Sequence, residues 1–296
     1  MSIAEATNTP YSQMSDRELA RAEAAIARKY IGRFSWFMAA WGLSNLACWL
    51  ALWPLMLSGI LPVWVAFPIA TINVILCYLP SHEAQHTNFS TGGPALRWFN
   101  EFIGYVSTIP MVLPFKIARL THMEHHSHTN DPELDPDYSV KADSWQQALL
   151  TAYKRRQPGQ PNAYGETLKR LGDSPVVKRA SLEGAAQVLA FWGIISALAW
   201  SGYALEAAAL WWLPRYLGTF YISLYLSWAP HFPAPEQGRY RNTRHFTHPL
   251  GNILALGMED HIVHHLHPAI PLDLNAAAYR EMKPILDARG CRDERF

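Results

Sequence analysis

At 296 residues the chain has room for one large domain or two small ones. Half of it is apolar and 12% aromatic, and a formal net charge of +1 gives no electrostatic basis for nucleic-acid binding. The three cysteines, Cys48, Cys77 and Cys291, form no CxxC pair, which leaves no basis for a disulfide framework or a thiolate-held metal.

Residues 1–33 are polar and helix-prone through Ser15-Asp16-Arg17-Glu18-Leu19-Ala20, and lack the apolar core that follows a basic start in a signal peptide. Residues 34–58 and 61–79 are almost uncharged, each long enough to cross a hydrocarbon core of about 30 Å, with only a short turn around Gly59 and Pro62 between them. Residues 102–115 are apolar but broken by Gly104, Pro110 and Pro114, too short to cross, and predict a re-entrant or interfacial helix within an insert over 80–183. Residues 184–205 and 207–230 form a second pair of apolar runs. Trp36, Trp41, Trp211 and Trp212 suit the interface aromatics of membrane spans.

Basic residues orient these spans. Five Lys and Arg precede the first, eleven lie between the second and third, eight follow the fourth, and Arg215 sits within the fourth. The positive-inside rule then puts both termini and the insert on the cytoplasmic side, with the protein multi-pass in a bacterial inner membrane or its equivalent. The expected fold is an all-α integral membrane protein: four transmembrane helices as two hairpins under a cytoplasmic helical cap, residues 231–296 forming its C-terminal part.

Every histidine falls on that same side. His82 and His86 are spaced i and i+4 just beyond the second run. His122, His125 and His126 repeat the H-x-x-H-H spacing of His261, His264 and His265. Helical spacing of i, i+3 and i+4 places such side chains on one face. Neutral imidazole is the commonest protein metal ligand, and eight of them exceed the needs of one ion, so two metals with open positions are the natural division. A solvated histidine patch would not explain why the clusters sit at the ends of apolar runs.

The stretches His82-Glu-Ala-Gln-His86, His122 to Asp137 and His261-Ile-Val-His-His-Leu-His-Pro268, in this order about two hairpins, resemble the membrane fatty acid desaturase superfamily. That superfamily includes acyl desaturases and related carotenoid hydroxylases and ketolases. The resemblance implies a non-haem centre of two iron ions held mostly by histidine. It further implies a ligand at the cytoplasmic end of the fourth span, where this chain has His231; one helical turn earlier, where some members carry asparagine, stands Ser227. It also implies O2 as co-substrate and two electrons from an external donor, of ferredoxin, rubredoxin or cytochrome type. Removal of two hydrogens from a lipid carbon chain gives a double bond, whereas return of oxygen gives an alcohol.

His128, His245, His248 and His267 remain as supports or surface residues. Ligand imidazoles need partners on the second ring nitrogen. Asp131, Asp135, Asp137 and Asp260, together with His128 and His267, are the candidates for that supporting role. Trp98, Phe99, Tyr221, Tyr225 and Trp228 are candidates for an apolar tunnel in contact with membrane lipid. A fatty-acyl lipid desaturase is the leading reading, followed by a carotenoid-ring hydroxylase or ketolase, for which the Asn130-Asp-Pro-Glu-Leu-Asp-Pro-Asp137 run speaks. A histidine-rich membrane metal-binding protein is the alternative from another class.

Overall fold

The computed structural model describes residues 10–91 and 93–295; residues 1–9 of the expected N-terminal segment, Gly92 and Phe296 lie outside the described residues. Helix α1 (Asp16–Ala27) starts at a capping box in which Ser15 accepts from the Glu18 amide and Glu18 accepts from the Ser15 amide. Leu19, Ala22 and Ile26 on its inner face pack against Ile262, Val263 and Ile285 near the C-terminus.

Three helices are long and apolar enough to cross a membrane: α2 (Trp36–Leu57), α3 (Val63–Gln85) and α8 (Pro175–Trp200). Large apolar side chains such as Trp36, Trp64, Leu189 and Trp200 stand exposed on them, as lipid-facing surfaces do. Helices α2 and α3 form the expected hairpin. Asn45 Nδ2 donates to the Asn73 carbonyl at 2.9 Å and Asn73 Nδ2 to Asn45 Oδ1 at 2.7 Å, while Trp41 Nε1 donates to the Leu76 carbonyl. Such polar pairs hold helices together where burial of apolar surface supplies little driving force. Gly42 permits the close approach, since a Cβ there would lie 2.9 Å from Pro80.

Between α3 and α8 the insert is built of short helices: α4 (Arg97–Ser107), α5 (Phe115–Ser127), α6 (Trp145–Arg155) and α7 (Ala163–Arg170). The 102–115 segment is the second half of α4 and the turn into α5. The 11 residues of α4 span roughly 16 Å at 1.5 Å per residue, about half a bilayer core. Helix α8 begins well before residue 184, because Ser174 caps it and Pro175 occupies its first turn. Its charged first turns are anchored by Glu183, which accepts from Lys116 at 2.8 Å and from Arg179 at 2.7 Å.

The fourth predicted span is a helical run interrupted twice: α9 (Ala204–Ala207), a π-helical stretch over Ala208–Trp212, α10 (Leu213–Tyr221), a second π-helical stretch over Ile222–Trp228, and α11 (Ala229–His231). Its carbonyls are drawn outward, Leu210 O by Trp49 Nε1 at 2.9 Å and Thr219 O by Arg156 Nη2 at 2.9 Å. Gly218 lets α10 lie against Val74 of α3, where a Cβ would come within 2.6 Å.

Beyond His231 the chain adds β1 (Arg244–Thr247), α12 (Asn252–Ala255), α13 (His261–Leu266), α14 (Leu272–Ala288) and β2 (Arg292–Arg295). Strands β1 and β2 pair in parallel, Arg244 opposite Arg292 and Thr247 opposite Arg295. The chain is mostly helical as expected, and this small two-stranded sheet is the addition to the all-α expectation. It fastens the C-terminus beside the fourth helical run, because Arg244 Nε donates to the Ala229 carbonyl and its Nη1 pairs with Glu294.

Candidate metal centre

Four elements bring nine histidines into one buried volume. The end of α3 supplies His82 and His86, α5 supplies His122, His125 and His126, α11 supplies His231, and α13 supplies His261, His264 and His265. Their frame is polar and specific. Arg119 on α5 donates to the Ala84 carbonyl on α3 and pairs with Glu101 on α4. Glu83, fully buried beside His82, accepts from Asn88 Nδ2 and from the Leu272 amide, joining the end of α3 to the start of α14.

The nine residues divide into two groups. His82, His86, His122, His126 and His264 form one, and His125, His231, His261 and His265 the other, with one ring nitrogen of each residue lying within 4.8 Å of those of its group. Each H-x-x-H-H motif therefore feeds both groups. Its outer pair at i and i+4 goes to one, and the middle histidine at i+3 goes to the other. On a helix of 3.6 residues per turn, i and i+4 point about 40° apart, whereas i+3 lies about 60° to the opposite side of i. The expectation that each motif presents one face is thus refined into a division between neighbouring groups. The groups touch where His126 stacks on His265, with ring centroids 4.1 Å apart.

The nitrogens converge in a way that protons alone do not satisfy. His86 Nε2 lies 2.9 Å from His122 Nε2, which lies 3.1 Å from His126 Nε2, which lies 3.0 Å from His264 Nε2. A ring nitrogen either carries one proton or offers one lone pair. A chain of three such contacts can therefore contain at most two hydrogen bonds. Both ring nitrogens of His82, Nδ1 of His231, His261 and His264, and Nε2 of His265 are buried without a hydrogen-bond partner. Burial, followed by the neighbouring histidines, holds His122, His126, His261, His264 and His265 well below the ordinary histidine range. All five are thus neutral at pH 7, the form that binds metal. Converging lone pairs on neutral, largely buried imidazoles fit two metal ions, and imidazole suits iron among others.

The supporting residues sort less evenly. Asp135 Oδ1 lies 2.9 Å from His125 Nδ1. Burial pushes the His125 imidazole down, but this carboxylate outweighs it and holds the ring above the usual histidine range. Asp137 is half-buried, accepts from the Tyr164 hydroxyl at 3.4 Å and acts on His125 through its charge. Asp131 does not reach a clustered imidazole. It accepts instead from the Glu133 and Leu134 amides, because its proline-rich run folds back as a turn. Asp260 partners His245 at 3.0 Å, and His245 stacks on Tyr279. His128 bends back to the Glu124 carbonyl, and His267 meets Glu23 of α1 at 3.0 Å. Neither enters a cluster. Sequence reasoning missed Thr129, whose hydroxyl lies 3.3 Å from His265 Nδ1, and Glu23, which lies more than two hundred residues before its partner. Position within the second histidine motif could have flagged Thr129; nothing local flags Glu23. The aromatics suggested for a tunnel are dispersed: Trp98 is exposed, and Trp228 is buried with its Nε1 donating to the Ala142 carbonyl.

Comparison with known proteins gives this geometry a family. The sequence model of the family described as fatty acid desaturase matches residues 58–294. The chain therefore belongs to the fatty acid desaturase family, whose members are membrane-bound oxidoreductases. It is similar to the sn-1 oleoyl-lipid 12-desaturase of Synechocystis sp., 29% identical over 99 residues that make up 31% of this chain and 27% of that protein. It is also similar to the sn-1 acyl-lipid omega-3 desaturase (ferredoxin) of the same organism, 25% identical over 194 residues, 57% of this chain and 49% of that protein. A third relative is the sn-1 oleoyl-lipid 12-desaturase of Arthrospira platensis, 33% identical over 58 residues, 20% of this chain and 15% of that protein. The matched stretches thus span at most about half the length of these curated relatives.

Proposed function

We propose that the chain is an O2-dependent membrane oxidoreductase that desaturates an acyl lipid at a centre of two iron ions. The observation that carries this reading is the division of nine buried or half-buried histidines into a group of five and a group of four, with neutral nitrogens converging in each. His82, His86, His122, His126 and His264 would hold one ion, and His125, His231, His261 and His265 the other. Bound iron supplies the reduction of O2 and the removal of hydrogen from an unactivated C–H bond. The chain's own part is to keep the imidazoles other than His125 neutral, to fix His125 through Asp135, and to keep water from the centre. A lipid chain must also be brought beside the clusters. The curated relatives, each named as an acyl-lipid desaturase, support acyl desaturation over oxidation of a carotenoid ring.

For topology, α2 with α3 and α8 with the broken run over 204–231 would cross the membrane as two hairpins. The distribution of basic residues supports cytoplasmic termini and a cytoplasmic cap. Electrons would come from an external small carrier, for which a ferredoxin has support in the name of one relative.

The test combines metal quantification on purified protein with lipid mass spectrometry on an expressing strain. Two irons per chain and new unsaturated acyl chains are expected. His125→Ala and His264→Ala should each abolish new unsaturation and lower iron content while the protein still inserts. An iron-replete, active His264→Ala variant, or a pigment change without new double bonds, would overturn the reading.

A further inference from the structure

A cavity of about 500 Å³ is lined by neighbours of the histidine clusters rather than by the histidines themselves, and its charge is out of balance. One end is bounded by Tyr78, whose ring centroid is 5.7 Å from that of His82, and by Ser227, one helical turn before His231. Its wall also carries Arg155, Arg156 and Arg215, against a single carboxylate, Asp137.

None of the three guanidinium groups forms a salt bridge with a described residue. Arg156 is met by neutral oxygens only, donating to Thr219 Oγ1, the Thr219 carbonyl and Ser223 Oγ. Arg155 acts on Asp137 through charge at a distance. Arg215, the one charge within the fourth apolar run, lies over the Phe191 ring at 5.1 Å, and its Nε is buried without a partner. A charge held beside apolar helices is costly unless paired, and an ionisable residue at membrane depth marks a substrate or ion path by default. Arginine in particular presents a planar set of donors matched to carboxylate and phosphate.

We propose that this cavity binds the anionic head group of an amphiphilic substrate, a carboxylate or a phosphate, with Arg155, Arg156 and Arg215 as its ligands. The attached chain then extends past Tyr78 to the histidine clusters. This inference rests on the reading of the chain as a lipid-oxidising enzyme and narrows its substrate to lipids with a negative charge. The polar lining argues against a wholly apolar hydrocarbon in this cavity.

The test is calorimetric titration of the full-length, metal-loaded protein in neutral detergent with sodium oleate, monooleoyl phosphate and methyl oleate. The ester shares the chain and lacks the charge. At least one anionic probe is expected to bind on the order of ten-fold tighter than methyl oleate, the scale of one charge-assisted hydrogen bond. Preference for oleate points to a free fatty acid, and preference for the phosphate points to a phospholipid. Arg155→Gln and Arg215→Gln should each remove most of that preference, and Arg215→Lys should keep part of it. Arg155→Gln, in the insert, carries the test if Arg215→Gln lowers the melting temperature. Equal binding of ester and anions by the wild type, or a preference intact in Arg155→Gln, overturns the proposal. Iron content measured on the same preparations separates the outcomes: its absence would sink the enzymatic reading and leave the head-group comparison interpretable.

Discussion

The two histidine clusters use the same residue type and lie side by side, yet the protein supports them differently. In the group of four, Asp135 fixes His125 and Thr129 reaches His265. In the group of five, no carboxylate among the described residues hydrogen-bonds to a ring: His82 has neither ring nitrogen partnered, and the contacts that exist run between imidazoles. One centre has more nitrogens and no anionic support, the other has fewer and one buried carboxylate. A carboxylate behind an imidazole raises its basicity and fixes its tautomer. The two proposed iron sites should therefore be inequivalent.

The largest effects should come from removing a ligand. His264→Ala and His261→Ala take one residue from the group of five and one from the group of four, respectively. Each should lower turnover by more than about a hundred-fold, because ligand number and geometry set both affinity and reactivity. Iron content per chain distinguishes them. The group of five retains four imidazoles after His264→Ala, whereas the group of four retains only three after His261→Ala, so the second variant should lose more iron. Equal loss in the two variants would break the comparison.

A smaller effect is expected one step out. Asp135→Asn keeps the shape of the side chain and removes its charge, and should weaken metal binding at the group of four by roughly 10–100-fold. Chelator titration followed by Mössbauer spectroscopy would show one iron site released before the other. Release of both together would mean that the carboxylate serves the whole centre rather than His125. Thr129→Val should do less, within about ten-fold on the same measurement, since it removes a neutral hydrogen bond worth about 1 kcal/mol.

Much of this candidate site could be read in the sequence because its histidines are local. His82 with His86, and each H-x-x-H-H, sit within single helical turns, so spacing alone specifies a shared face. The division of each motif between two groups was not legible, because it depends on where α3, α5 and α13 cross. The apolar runs announced α2, α3 and α8, although α8 starts at a Ser174-Pro175 cap that a hydropathy reading passes over. The two π-helical stretches in the fourth run carry no signal that a hydropathy reading detects. The pairing of β1 with β2 joins residues about fifty positions apart and has no local signature. Asp131 and Asp260 illustrate the same limit, since proximity in sequence to a ligand did not decide which partner each carboxylate met.

His267 supplies the control for the whole comparison, because it belongs to the third histidine motif and to neither cluster. Its Nε2 lies 3.0 Å from Glu23, which also accepts from the Tyr240 hydroxyl at 2.9 Å. Burial pushes the Glu23 carboxyl upward, yet these two hydrogen bonds outweigh it and hold the group below the usual carboxylate range. A depressed carboxylate contributes stability that is fully present above its unfolded value of about 4.3 and is lost as the pH falls through the lower, folded value. His267→Ala should therefore retain both irons and cost about 1–3 kcal/mol of stability, the range for a hydrogen bond to a charged group. Glu23→Gln should also keep iron, and should flatten the fall in melting temperature on the acid side of pH 4 relative to the wild type. Calorimetry between pH 3 and pH 7 with parallel metal analysis reads both quantities. Loss of iron in His267→Ala would place this residue inside the metal centre and erase the boundary drawn around the nine.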